Sequence, residues 1–165
     1  FNARQSLTGP SLALLRLDDN RPQLPPDEEA PMFALLIGYQ YRSAAVASGE
    51  TPPADPDAVS LVDELRGQPG TRVPHVWVWD GVSTLDLLGP GFTVLTGDER
   101  WCAAAASGSV AAHRVDSGEW AAATGLKPEG ALLVRPDDFV GWRAEELPAD
   151  PEGALRQALS QILGC

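Results

Sequence analysis

The most regular hydrophobic pattern of the chain lies at its C-terminal end. Apolar residues recur there at helical spacing, at positions 154, 155, 158, 159, 162 and 163. Asp150 is suited to cap the N-terminus of a helix, and Pro151 suits its first turn. Gly164 can end it, because glycine adopts the left-handed conformation that commonly follows a helix. The pattern therefore predicts an amphipathic helix between Asp150 and Gly164.

Short apolar runs separated by turn residues predict β-strands further upstream. The runs at 73–79 and 83–88 flank Asp80-Gly81, a hairpin signal. Other strands are predicted over 92–95, 110–115 and 130–134, with 139–142 returning from a turn at 136–138. Between the strands at 92–95 and 110–115, Asp98 is expected to cap an alanine-rich helix over 101–106, which Ser107-Gly108 would end.

The succession of these elements is hairpin, strand, helix, strand, helical turn, hairpin and helix. It predicts an α/β protein with a thioredoxin-like fold, in which helices flank a central mixed sheet. An extended N-terminal segment is expected to precede this fold. Within that segment, residues 32–46 suggest a helical turn leading into a strand. The spacing at 59–65 fits either a helix or an extended chain.

Composition places a boundary and excludes several classes of protein. Prolines, Gly49 and acidic residues crowd positions 48–58, which therefore resemble a solvated linker. The net charge of −11 repels phosphate backbones, so nucleic acid is excluded as a partner. No run of about twenty apolar residues predicts a membrane span, and a cytoplasmic protein is expected. Because Phe1 is not an initiator methionine, we expect the chain to be a piece of a longer protein.

Four motifs in a fixed order carry a family resemblance. They are GYQYRS at 38–43, PGTRVPHVW at 69–77, STLDLLG at 83–89 with GFT at 91–93, and LVRPD at 133–137 with VGWR at 140–143. Together they resemble the C-terminal third of the phenol hydroxylases, chlorophenol monooxygenases and polyketide hydroxylases. These enzymes are flavoprotein aromatic hydroxylases that use FAD and NAD(P)H. The resemblance covers roughly residues 33–165.

The resemblance implies a thioredoxin-like third domain that has no redox role. Residues 1–58 would then be the end of the catalytic region and a proline-rich linker, and residues 59–165 the C-terminal domain. Leu12 to Leu17 and Phe33 to Ile37 would pack on the catalytic body of the parent. FAD and NAD(P)H would be cofactors of the parent enzyme, and none would be bound by this fragment. The implied partners are the catalytic domains of the parent chain and a possible second copy.

Two glycine segments are the places to look for a flavin site within the chain. A dinucleotide turn needs Gly-x-Gly-x-x-Gly at a helix N-terminus. Gly89-Pro90-Gly91 lacks the third glycine and is not followed by a predicted helix. Gly97-Asp98 resembles the flavin-ribityl motif of the family, but the residues after it do not match. We therefore predict no catalytic, cofactor-binding or metal-binding residue in this chain.

Trp101-Cys102 suggests an alternative function, because true thioredoxins place Trp-Cys-x-x-Cys after a sheet strand. Positions 103–106 are all alanine, so a resolving thiol is missing, and Cys165 is expected to be exposed and incidental. We expect Cys102 to pack as a small hydrophobic residue. An autonomous redox or peroxidase protein that uses Cys102 remains one alternative. A free-standing binding or scaffold domain is another.

The histidines and tryptophans suggest further sites. His75 and His113 lack neighbouring ligands at zinc spacing. Ser83, His75 and Asp86 could form a triad, although no nucleophile-elbow sequence supports it. Trp77 and Trp79 share one strand face and are expected to pack in a core or an interface. Trp142 is expected to pack with one of these two residues.

Overall fold

The computed structural model describes Gly38, Gln40, residues 43–47 and residues 65–164. The strands in this part of the chain are β1 (Trp77–Trp79), β2 (Val82–Ser83), β3 (Thr93–Thr96), β4 (Ala111–Arg114), β5 (Ala131–Val134) and β6 (Val140–Ala144). The helices are α1 (Glu99–Ser107), α2 (Gly118–Thr124) and α3 (Pro151–Leu163), and a 3-10 helix (Leu85–Leu87) follows β2.

Four of these strands form a mixed sheet in the order β4-β3-β5-β6. Strand β3 pairs parallel with β4 and antiparallel with β5, and β5 pairs antiparallel with β6. Helix α1 makes the crossover between the two parallel strands, as such a connection requires. The prediction of a thioredoxin-like α/β fold with a mixed sheet and flanking helices is confirmed. The predicted extended N-terminal segment lies almost wholly outside the described residues.

Alternating side chains of the strands build one hydrophobic core on each face of the sheet. On one face, Val94 and Leu133 pack among side chains of α1 and α3. On the other face, Leu95 and Leu132 pack beneath α2 and the hairpin formed by β1 and β2. This division follows from the two-residue period of a strand, because neighbouring side chains point to opposite faces. The hairpin thus covers the face opposite α1 and α3.

Side-chain caps begin the three helices at the positions that their sequences indicate. Asp98 accepts a hydrogen bond from the backbone N–H of Arg100 at the start of α1. Ser117 caps α2 in the same way, and Asp150 caps α3. Gly164 ends α3 in the left-handed conformation, with φ 71°. The predicted caps at positions 98 and 150 are confirmed, and the predicted helical turn after β4 is the seven-residue helix α2.

The hairpin is shorter than its sequence predicts. Strand β1 begins at Trp77 rather than at residue 73, because Val73 donates its backbone N–H to Asp138 O instead of to a hairpin partner. The returning segment over 83–88 was expected to be extended, but only Ser83 of it is in strand β2. The Asp86 carboxylate accepts hydrogen bonds from the N–H and hydroxyl of Ser83, and the chain turns there into the 3-10 helix.

Residues 43–47 dock on the domain although they lie far upstream in sequence. Ala47 is buried in the core that contains α1 and α3, and its N–H donates to Gly141 O at 2.8 Å. Arg135 donates from Nη1 to Ala45 O at 3.2 Å. Most of the elements expected over 32–46 and 59–65 lie outside the described residues. The division of the chain at residue 58 stays a prediction.

Candidate functional site

The N-terminus of α1 is the first candidate site, because a thioredoxin carries its dithiol there. Trp101 is fully buried, and its indole Nε1 donates to Glu129 O at 2.8 Å. Its ring meets that of Trp142 edge-on, with the ring centroids 5.6 Å apart. The expectation that Trp142 packs with Trp77 or Trp79 is therefore wrong. Trp101 is a core residue, and the indole of Trp142 reaches it from strand β6.

Cys102 lies beside Trp101 in the first turn of α1 and is partly exposed. Burial raises the pKa of the Cys102 thiol, and the nearby Glu99 carboxylate raises it further. The thiol is thus protonated at neutral pH, whereas reactive cysteines have a lowered pKa. The second cysteine of a Cys-x-x-Cys motif would stand at position 105, where Ala105 is fully buried. This geometry is typical of a structural cysteine.

An open groove of about 710 Å³ runs between α1 and the start of α3. Small side chains such as Ala103 and Ser107 line it, with Arg100, Asp150 and Glu152 at its charged positions, and Glu152 pairs with Arg156 at 2.8 Å. Arg100 forms a two-pronged ion pair with Asp98, and Asp150 caps α3. These charges already have partners in the fold, so the groove offers no arrangement of acid, base and nucleophile.

Ser83, His75 and Asp86 do not form a catalytic triad. Asp86 Oδ2 accepts directly from Ser83 Oγ at 2.7 Å and from Ser83 N at 2.8 Å. A triad needs the imidazole between the hydroxyl and the carboxylate. His75 instead packs edge-on against Trp77, with the ring centroids 5.4 Å apart. The hydrogen bonds from Ser83 are the largest causes of the lowered pKa of Asp86.

The two glycine segments do not have the geometry of a phosphate-binding turn. Gly91 leads into strand β3, so no helix N-terminus follows Gly89-Pro90-Gly91. Gly97 is required by packing, because a Cβ there would lie 2.8 Å from the carbonyl oxygen of Pro128. Asp98 serves as the cap of α1. Among the described residues, no group of three His, Cys, Asp or Glu side chains is placed to hold a metal ion.

Three large apolar side chains in and beside the hairpin are exposed to solvent. Trp77 is 57% exposed, Trp79 is 54% exposed and Leu85 on the adjacent 3-10 helix is 44% exposed. Trp77 and Trp79 share one face of β1 as the strand period predicts, but neither is in a core. The exposure of Leu85 had no sequence signal, because it depends on the turn that Asp86 makes with Ser83.

Among the helices of the described residues, none has the length and hydrophobicity that a membrane span requires.

The fold and its α1 N-terminus thus define a thioredoxin-like domain in which alanine occupies the position of the resolving cysteine. The family model of the aromatic-ring hydroxylase C-terminal domain matches residues 66–165 of this chain. The chain therefore belongs to the aromatic-ring hydroxylase family.

Relatives of the chain share this assignment. It is 43% identical to tetracenomycin A2 monooxygenase-dioxygenase of Streptomyces glaucescens, over 78% of this chain and 26% of the relative. It is 38% identical to 4-methyl-5-nitrocatechol 5-monooxygenase of Burkholderia sp, over 89% of this chain and 30% of the relative.

A solved structure agrees with these relatives. The crystal structure of aklavinone-11 hydroxylase with FAD and aklavinone matches with a TM-score of 0.70 and 34% identity. The match covers 84% of this chain and 29% of that one. The chain thus corresponds to the C-terminal domain of FAD-dependent aromatic hydroxylases, and spans less than a third of the proteins it matches.

Proposed function

We propose that this chain is the non-catalytic structural and association domain of a FAD- and NAD(P)H-dependent aromatic-ring monooxygenase. The parent enzyme would insert one oxygen atom into a phenol-like or polyketide ring, a substrate class that fits the names of the relatives. FAD, NAD(P)H and the aromatic substrate would bind to the upstream part of the parent. The domain would pack against that catalytic part and contribute to a subunit interface. A cytoplasmic location belongs to the same proposal.

One observation carries the proposal, namely the state of the α1 N-terminus. This is where a thioredoxin-like fold performs chemistry, and here it holds a single thiol of raised pKa beside the buried Ala105. Thiol exchange needs a thiolate and a second sulfur within reach. A fold retained without its redox residues is best explained by packing. We propose the same division as the sequence suggests, with residues 1–58 as the end of the catalytic region and linker, and 59–165 as the C-terminal domain.

Flavin retention tests the non-catalytic assignment. The chain is mixed with FAD and desalted, and its absorbance at flavin wavelengths and its NADPH oxidation are measured beside those of a longer protein that includes the upstream part. We expect flavin and NADPH oxidation only in the longer protein. Stoichiometric flavin in the desalted chain would contradict the assignment.

The redox alternative is tested by Cys102→Ser. We expect insulin reduction and peroxide consumption to stay at background in both the wild type and the variant. An active wild type with an inactive variant would show that Cys102 performs thiol chemistry.

A further inference from the structure

We infer that the domain docks on the upstream FAD-binding part of its own polypeptide through the outer face of the hairpin. The docking surface consists of the exposed side chains of Trp77, Trp79 and Leu85. This inference rests on the proposed function, and it names the surface and the occupant.

The hairpin presents two opposite faces of different character. Val78, the middle residue of β1, is buried in the core beneath the hairpin, whereas Trp77 and Trp79 on either side of it point outward. Large aromatic side chains exposed in this way are typical of interaction surfaces rather than of free solvent-facing strands. Tryptophan is also among the residues that contribute most to binding when they are buried at an interface. The outward face therefore has the composition of a contact surface.

A rigid frame holds this surface in place. The Thr84 hydroxyl is fully buried, donates to Pro74 O at 2.7 Å and accepts from the N–H of Val76 at 3.2 Å. These bonds tie the segment before β1 to the segment after β2. Near the surface, the bonds between Ser83 and Asp86 fix the start of the 3-10 helix that carries Leu85. Because the frame is already ordered, little conformational entropy is lost when the surface is covered.

The exposed area of these three side chains fits an occupant on the same chain. A fully exposed tryptophan presents up to about 250 Å². At the exposures of Trp77, Trp79 and Leu85, the three side chains together present about 350 Å² to solvent. A stable complex between separate proteins needs about 800 Å² per partner. Contacts between domains of one chain are smaller, down to about 300 Å² per side. A covalent connection makes such an area sufficient because it raises the effective concentration of the partner surface.

The charge and the relatives favour the same occupant. Asp80 follows Trp79 and Asp86 follows Leu85 in sequence, and both are exposed. A second copy would therefore bring like charges together on a chain of net charge −11. The matched relatives are more than three times as long as the region they share with this chain, which covers 26% and 30% of them. The upstream part of such a protein is therefore a large surface that is always tethered to the domain.

Oxidative footprinting tests the assignment. Hydroxyl-radical oxidation of Trp77 and Trp79 is measured by peptide mass spectrometry in the 165-residue chain and in the full-length hydroxylase that carries it. Trp101, fully buried, is the internal reference for a protected indole. We expect oxidation of Trp77 and Trp79 to be at least tenfold slower in the full-length protein, approaching the rate of Trp101. Equal rates in the two proteins would overturn the docking surface.

A double variant adds a second test of the docking surface. In the full-length protein, Trp77→Ser with Trp79→Ser should increase protease cleavage within residues 48–58 several-fold, while the FAD content stays unchanged. Leu163→Ser is the matched control, because Leu163 is 61% exposed at the far end of α3. Cleavage that rises equally in the control, or in neither variant, counts against the surface.

The outcomes separate this inference from the proposed function. Full-length protein that binds FAD but leaves both tryptophans reactive would overturn the docking surface alone. Full-length protein without FAD would overturn the proposed function. A dimer of the isolated chain, measured by light scattering and abolished by the double tryptophan variant, would show that a second copy is the occupant and overturn the tethered assignment.

Discussion

Thr93 and Thr96 stand three residues apart on strand β3, and substitution of each by valine should change stability in opposite directions. Both side chains are buried, at 1% and 0% exposure. Thr96 Oγ1 donates to Gly130 O at 2.8 Å and accepts from the N–H of Asp98 at 3.1 Å. Thr93 Oγ1 has no hydrogen-bond partner among the residues that the structure describes. The two hydroxyls thus differ in hydrogen bonding while they share strand and burial.

The expected magnitudes follow from this difference. A buried polar group without a partner costs about 1–3 kcal/mol. Replacing the Thr93 hydroxyl by a methyl group removes that cost, so Thr93→Val should raise the free energy of unfolding by about 1 kcal/mol. Thr96→Val removes two hydrogen bonds and leaves a carbonyl and an N–H without their partner. It should lower the free energy of unfolding by about 2–3 kcal/mol.

Urea unfolding followed by tryptophan fluorescence measures both values, with the slope against urea checked for constancy. In thermal unfolding, a change of 1 kcal/mol in the free energy of unfolding shifts the melting temperature by roughly 4–8 °C for a domain of this size. The melting temperatures of the two variants should therefore lie more than about 10 °C apart. If Thr93→Val destabilises the protein as much as Thr96→Val, the Thr93 hydroxyl has a partner in solution and the reasoning is refuted.

Three further changes test other parts of the fold by urea unfolding. Asp98→Ala should cost about 1 kcal/mol at pH 7. Hydrogen bonds from Arg100 lower the pKa of Asp98 from 3.8 to about 2. The difference in the free energy of unfolding between wild type and Asp98→Ala should therefore be present above pH 4 and vanish as the pH falls through 2. A difference that does not change with pH would contradict this prediction. Gly97→Ala should lower the free energy of unfolding by about 1–3 kcal/mol, because the new methyl group would clash with the carbonyl oxygen of Pro128. Gly91→Ala, where the methyl group meets open space, should change it very little. Equal effects of the two substitutions would refute the packing argument. Arg143→Ala should lower the free energy of unfolding by about 2 kcal/mol, because the side chain of Arg143 is only 9% exposed and donates hydrogen bonds to two carbonyls that are distant in sequence. Arg156→Ala, at an exposed position, should lower it less. No change in stability for Arg143→Ala would show that these hydrogen bonds contribute nothing.

Local signals in the sequence were sufficient for the elements whose causes are local. The helix α3 was predictable because its cap, its apolar stripe and its terminal glycine all lie within 15 residues of one another. The cap of α1 was predictable for the same reason. The mixed sheet followed from the order of these elements, since a strand-helix-strand unit places its strands parallel.

Contacts between distant segments were not predictable in this way. Trp142 could not be assigned to Trp101, because the two rings meet in the tertiary structure although they lie 41 residues apart in sequence. The sequence also did not show that Trp77 and Trp79 face outward, since strand alternation defines a shared face but not which face is buried. At the candidate site, the missing second cysteine was visible in the sequence, whereas the raised pKa of Cys102 required the structure.

The docking of residues 43–47 has a consequence for solubility. Strand β6 is at one edge of the sheet, and such an edge pairs readily with strands of other molecules. Here the backbone of Gly70 and Thr71 bonds to Val140, and that of Ala47 bonds to Gly141, so the chain itself covers the first two residues of β6. A version of the domain cut after Ala47 would lose part of this cover. Any version prepared for crystallisation or for binding studies should therefore keep residues 43–47 to limit edge-to-edge aggregation.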